Sequence, residues 1–156
     1  MPSWINIARW LHILSAAAWL GEICLMAFVL IPQVTKMPAE GRGQFMTHFF
    51  PRISRLASHL IVVTMLSGLW LNYLMTGWRN MHVYLTSRHG LLVLAGGALG
   101  LLIALVHFGV LGQFEARFAA GDQQAKTLRL MQIVPKVGLL VVSLAFILMM
   151  VAARGY

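Results

Sequence analysis

The sequence predicts an all-α protein: an integral membrane four-helix bundle with antiparallel, up-and-down topology. The chain has 156 residues, of which 60% are hydrophobic and only 10% charged. A soluble domain carries charge on about a quarter of its residues. Four apolar runs are long enough to cross a bilayer, which takes about 20 residues each. With short connections they fill nearly the whole chain, so we expect one domain, residues 1–156, and no soluble module.

Each apolar run has its own boundary signals. The first ends at Pro32, because proline has no N–H to continue the hydrogen-bond ladder. A glycine followed by polar residues ends the second, at Gly77. Residues 115–130 are polar and are expected to carry a short amphipathic extension of the third helix. Pro135 is expected in the first turn of the fourth helix, where proline is tolerated. The predicted spans are residues 4–31, 53–75, 90–114 and 131–153.

The basic residues near the span ends predict the orientation in the membrane. Eight follow the first and third spans: Lys36, Arg42, Arg52, Arg55, Arg117, Lys126, Arg129 and Lys136. The remaining four of the 12 lie on the opposite side: Arg9, Arg79, Arg88 and Arg154. This asymmetry puts both termini on the non-cytoplasmic side of a bacterial-type inner (plasma) membrane. The net charge of +8 comes from basic residues that flank the spans, where membrane topology places them, so nucleic-acid binding is not expected.

Four ionisable residues stand out at membrane depth in the predicted spans: His12, Glu22, His59 and His107. Such groups are costly there and usually face the bundle interior. His12 is roughly 9 Å to the outer side of its span centre, at 1.5 Å per residue. Glu22, His59 and His107 are each roughly 6–9 Å to the cytoplasmic side. Two histidines at one depth on different helices suit the axial ligands of one haem, or a shared metal ion.

Helical spacing places Arg52 and Arg55 on the face of His59, one and two turns nearer the cytoplasm, where they could pair with haem propionates. Gly96 and Gly100 share a face with His107, which would let a planar ligand or another helix approach closely. The structural alternatives stay open: glycines as a helix-packing face, histidines hydrogen-bonding across helices, and arginines that only set topology. A weaker signal for copper lies in the loop after the second span, at Met81, His82 and His89.

Several short motifs resemble the CopD-like membrane proteins, a superfamily that also includes the HemJ-type protoporphyrinogen oxidases. They are Trp10-Leu-His-Ile-Leu-Ser-Ala-Ala-Ala-Trp-Leu-Gly21, Val29-Leu-Ile-Pro32, Phe50-Pro-Arg-Ile-Ser-Arg-Leu56, Ser67-Gly-Leu-Trp-Leu71 and Val106-His107-Phe108. The resemblance implies that His12 is a haem b ligand. It also implies a lysine near the start of the third helix, where this chain has Arg88-His89. Arginine stays charged and cannot replace a deprotonated lysine, although His89 could serve as a ligand.

The leading hypothesis is a haem b-binding membrane protein that works in electron transfer or membrane redox chemistry. Its iron ligands would come from His12, His59, His107 and His89, with the pair His59 and His107 favoured. Glu22 would relay protons or partner a ligand histidine. The expected partners are the lipid bilayer, a membrane redox partner or quinone, and further copies or a larger complex. A CopD-like copper transport protein and an accessory subunit of a respiratory complex are the alternatives.

Overall fold

The computed structural model describes residues 3–78, 81–119 and 125–154, with backbone alone for some residues between 81 and 126. Within these ranges all regular structure is helical and no strand occurs. The helices are α1 (Trp4–Leu25), α2 (Ile31–Lys36), α3 (Ala39–Gln44), α4 (Phe50–Thr76), α5 (Met81–Thr86), α6 (Arg88–Ala119) and α7 (Ala125–Ala153). Every predicted span lies within one continuous helical stretch; for the first span this stretch consists of α1, a π-helical turn and the start of α2.

Four of these helical stretches are long and apolar enough to cross a membrane. They cover residues 4–36, 39–76, 88–110 and 127–153. At most 22% of the residues in each apolar window are buried inside the protein. The remaining apolar surface therefore needs a lipid environment, because water would disfavour so large an exposed hydrophobic area. The chain is a multi-pass membrane protein.

The first helix does not end at Pro32 as predicted, because a π-helical turn carries the chain past this proline. Met26–Leu30 forms that turn and joins α1 to α2. A second π turn, Phe45–Phe49, stands in the same position before Pro51, between α3 and α4. In both cases the carbonyl four residues before the proline lies in the π turn. A proline ring would clash with that carbonyl in a regular α-helix, and the wider turn relieves the clash.

The fourth helix also starts earlier than predicted. It begins at Ala125, so Pro135 lies in its interior and not in its first turn. The polar segment before the apolar run has a buried face: Thr127 is buried, and Leu128 packs against a core cluster. That packing extends the helix toward the N-terminus. The predicted extension of the third helix is confirmed as far as Ala119.

The four long helices pack in the cyclic order α1, α4, α6, α7 and back to α1. Specific contacts give the register of each neighbouring pair. The pairs that set this register are Trp4 with Trp70, His12 with Thr64, Met65 with Gly100, Ser58 with His107, Gly96 with Met149, His89 with Ala152, and Ile23 with Gly138. The register fixes which side chains share a level across the bundle.

Two apolar clusters form the core. The central cluster is Trp19, Ile61, Ile103, Ala104 and Val142. The end cluster is Met26, Ile31, Val34, Met46, Phe50 and Met131. Glu22 lies between Trp19 of the central cluster and Met26 of the end cluster. On α6, His107 comes three residues after Ala104 of the central cluster. Glu22 and His107 thus lie at levels between the two apolar clusters.

Candidate functional site

His12 is held against α4 by a hydrogen bond and by a glycine. Its Nδ1 lies 2.9 Å from the carbonyl oxygen of Thr64. A carbonyl can only accept, so Nδ1 carries the hydrogen, and in the neutral ring Nε2 keeps its lone pair. Gly68 makes room for the ring: a Cβ at this position would lie 2.8 Å from Cε1 of His12. The imidazole is therefore fixed in one tautomer with Nε2 open.

Hydroxyl groups surround His12 at the contact between α1 and α4. Thr64 Oγ1 donates to Ser15 Oγ at 2.9 Å, and Ser15 Oγ in turn donates to the Leu11 carbonyl at 2.7 Å. Ser15, Thr64 and Ser67 are all buried. We call His12, Ser15, Thr64, Ser67 and Gly68 the His12 cluster. The sequence motifs quoted above contain Ser15, Ser67 and Gly68 without giving them a role, and they leave out Thr64. Thr64 lies three residues before Ser67 in an apolar run, and this spacing of small polar residues was the available signal.

His107 makes a separate contact with α4. Ser58 Oγ donates to the Ser54 carbonyl at 2.9 Å, so it accepts from Nε2 of His107, also at 2.9 Å. This bond leaves Nδ1 of His107 as the ring nitrogen with a lone pair. The ring also lies edge-on to Phe108, with a centroid distance of 5.2 Å. His107 therefore hydrogen-bonds across helices, from α6 to α4, which is the structural alternative to a ligand role.

His59 is exposed on the outside of the bundle and does not meet His107. Its Nδ1 donates to the carbonyl of Arg55 at 2.6 Å, within its own helix. Successive residues of an α-helix point about 100° apart, and Ser58 takes the position toward α6. Arg52 and Arg55 are exposed on the same side as His59, as the spacing predicted. The contacts therefore do not support the favoured pairing of His59 with His107.

Glu22 lies on the buried stripe of α1, between Trp19 and Met26, and is itself half-buried. By the helix register it is close to the level of His107, as the sequence depths predicted. Its carboxylate has no hydrogen bond or ion pair among the described residues. Its roles as proton relay or ligand partner stay predictions.

The remaining predicted ligands lie near the start of α6. His89 Nδ1 donates to the carbonyl of Ala152 at 3.0 Å, which leaves Nε2 with a lone pair. His82 is exposed beside Thr86, and the side chain of Met81 lies outside the described part of the chain. By register the level of His12 on α6 falls near Gly100 through α4 and near Gly96 through α7. His89 therefore lies about 7–12 residues further along, roughly 10–18 Å at 1.5 Å per residue. The structure does not bring His12 and His89 to one depth.

The glycine face of α6 is filled by methionines of the same chain. A Cβ at Gly96 would meet Met149 Cε at 2.9 Å, and one at Gly100 would meet Met65 Cε at 2.8 Å. These contacts support the helix-packing interpretation over a slot for a planar ligand. In residues 3–78, 81–119 and 125–154, no group of three or more His, Cys, Asp or Glu side chains is placed to hold a metal ion.

Fold and site together define an all-helical, multi-pass membrane protein with ionisable side chains at membrane depth. A scan against protein-family models, a search of curated proteins and a search of solved structures found no match to this chain.

Proposed function

We propose that this chain is an antiparallel, up-and-down four-helix bundle of a bacterial-type inner membrane, with both termini on the non-cytoplasmic side. Within it, His12 binds haem b for electron transfer. Between α1 and α4, between α4 and α6, and between α6 and α7, the contacts follow opposite residue order along the two helices, which supports the topology. The distribution of lysine and arginine supports the orientation. A membrane redox partner or quinone would exchange electrons with the bound group.

The observation that carries the proposal is the way His12 is held. Histidines that bind iron or other metals usually donate the second ring N–H to a carbonyl or carboxylate, which fixes the tautomer and makes the ligating nitrogen more basic. His12 has this arrangement, with Nδ1 bonded to the Thr64 carbonyl. His89 has it too, through the Ala152 carbonyl, so the packing against Gly68 and the family resemblance distinguish His12. Nε2 of His12 has no hydrogen bond within the described ranges. The resemblance to CopD-like and HemJ-type proteins implies the same residue.

The surroundings of His12 fit a haem ligand in part. The space left by the missing side chain of Gly68 is occupied by the His12 ring itself, so it positions the ring but gives no room for a haem. Arg52 and Arg55 do not fit as propionate partners of a haem at this level, because even Arg55 is nine residues from Thr64, about 13 Å along α4. Arg9 is exposed and lies one turn from His12 on the same face, so it is the better-placed cation. Haem b, when bound, supplies a one-electron iron couple.

An absorption spectrum tests the proposal. The full chain is expressed with ample haem, purified in detergent, and recorded oxidised and reduced. We expect a Soret band in the native protein and in His48→Ala, a control at an exposed histidine. His12→Ala should lose the band, and added imidazole should restore part of it in His12→Gly. Circular dichroism verifies that the variants stay helical.

Two outcomes would contradict the proposal. A native protein without a Soret band refutes haem binding altogether. A His12→Ala variant that keeps the full band refutes the ligand assignment, and parallel alanine variants of His59, His89 and His107 then identify the ligand.

A further inference from the structure

Arg52, Arg55 and His59 form an exposed basic face near the start of α4, which we call the α4 basic face. The three residues are spaced by three and four positions, so they follow one side of the helix. Seven residues separate the first from the last, about 10 Å at 1.5 Å per residue. This is the scale of a single phospholipid headgroup. The face lies outside the bundle, where lipid reaches it directly.

Local hydrogen bonds hold part of this face in place. Arg55 Nε donates to the Pro51 carbonyl at 3.3 Å, which leaves both terminal guanidinium nitrogens available. His59 Nδ1 donates to the Arg55 carbonyl at 2.6 Å. Neither arginine has an ion pair with any residue of the described part of the chain. The positive charge is therefore available to an external anion.

The surface that continues from the α4 basic face suits acyl chains. Further along the same side of α4, Val63, Leu66 and Trp70 are exposed and apolar. On the other side of the arginines, Phe49 is exposed three residues before Arg52. Basic residues that border an apolar helix surface match the headgroup and tails of a lipid. A soluble anion would use the charges but not the apolar surface.

We propose that the α4 basic face binds an anionic phospholipid, with Arg52 and Arg55 donating to the phosphate and the acyl chains lying along α4. Charge-assisted bonds from arginine to phosphate are among the stronger hydrogen bonds in proteins. Juxtamembrane basic residues are also attracted to anionic lipid. This site is separate from the His12 cluster and does not depend on haem binding.

Native mass spectrometry of the full chain in detergent, titrated with phosphatidylglycerol or phosphatidylcholine, tests the proposal. We expect the anionic lipid to bind more tightly than the zwitterionic one. Each basic residue near an anionic lipid contributes about fivefold in affinity, so R52Q/R55Q should bind phosphatidylglycerol about 25-fold more weakly. The control pair R129Q/K136Q removes the same charge from two exposed residues of α7. It should leave the affinity within about twofold of native, since both residues lie on another helix.

A second pair of variants separates charge from folding. R52K/R55K keeps both charges but loses the planar guanidinium fork. It should weaken binding by no more than about fivefold, and its helix content should match that of R52Q/R55Q by circular dichroism. An equal loss in R129Q/K136Q would overturn the site, because it would show a general charge effect. Equal binding of both lipids would also overturn it. Displacement by millimolar inorganic phosphate would show that the ligand is free phosphate and not a lipid.

Discussion

Alanine at position 68 places a methyl carbon 2.8 Å from Cε1 and 3.0 Å from Nδ1 of His12. Carbon atoms in contact prefer separations of about 3.5–4.0 Å, so the ring must retreat by about 0.7–1 Å. The bond from Nδ1 to the Thr64 carbonyl, now 2.9 Å, would then exceed the usual hydrogen-bond limit. Gly68→Ala therefore perturbs both the packing and the orientation of His12.

The free energy of unfolding should fall by about 2 kcal/mol. Overpacking costs about 1–3 kcal/mol. A lost hydrogen bond between membrane helices costs about 0.6 kcal/mol on average. The higher helix propensity of alanine offsets up to about 1 kcal/mol. Gly97→Ala is the matched control, because a Cβ there meets nothing within 4 Å, and this variant should be neutral or slightly more stable.

Reversible unfolding in mixed micelles, followed by circular dichroism, measures the difference between the two variants. A double-mutant cycle with His12→Ala assigns its cause, because Gly68→Ala should cost little once the ring is gone. In haem-loaded protein, Gly68→Ala should also shift or weaken the Soret band, and Gly97→Ala should not. If Gly68→Ala proves as stable as Gly97→Ala, the placement of His12 over Gly68 is wrong.

Two further substitutions test other contacts between helices in the same unfolding assay. Ser58→Ala removes the acceptor of His107 Nε2 and should cost about 0.6–1.7 kcal/mol, whereas Ser143→Ala, at a half-buried serine of α7, should change stability by less than about 0.5 kcal/mol. Equal effects of the two serine variants would contradict the Ser58 contact. Gly90→Ala should destabilise by about 3 kcal/mol or more, because its Cβ would lie 2.4–2.8 Å from backbone atoms of Tyr84, which cannot rotate away as a side chain can. A Gly90→Ala variant as stable as the native protein would show that α5 does not cross α6 at this point.

Much of the fold could be predicted from local sequence. Apolar length alone located all four spans, because a bilayer requires about 20 apolar residues in each. Helix ends were less predictable. Pro32 predicts the end of the first helix, but the π turn at Met26–Leu30 accommodates the proline and the helical stretch continues. The start of α7 was placed too late because residues 125–130 are polar, and their buried face exists only once the end cluster forms.

The candidate site was likewise predictable only in part. The sequence predicted that His59 and His107 share a depth, since depth follows from counting residues along a helix. It could not predict which way each side chain points. A rotation of α4 by one residue, about 100°, decides whether His59 or Ser58 faces α6. In the structure Ser58 does, and His59 joins Arg52 and Arg55 on the outside.

By itself, the sequence determined that this is a helical membrane protein with histidines and one carboxylate at membrane depth, because both properties depend on local composition and length. Only the tertiary structure showed how His12 is held, with Nδ1 bonded to the Thr64 carbonyl and the ring packed against Gly68. The features that hold it, the Thr64 carbonyl and the missing side chain of Gly68, lie more than 50 positions away in the chain. A backbone carbonyl and a missing Cβ cannot be recognised as contacts of His12 from the residue pattern, because they reach the ring only when α1 and α4 pack in this register.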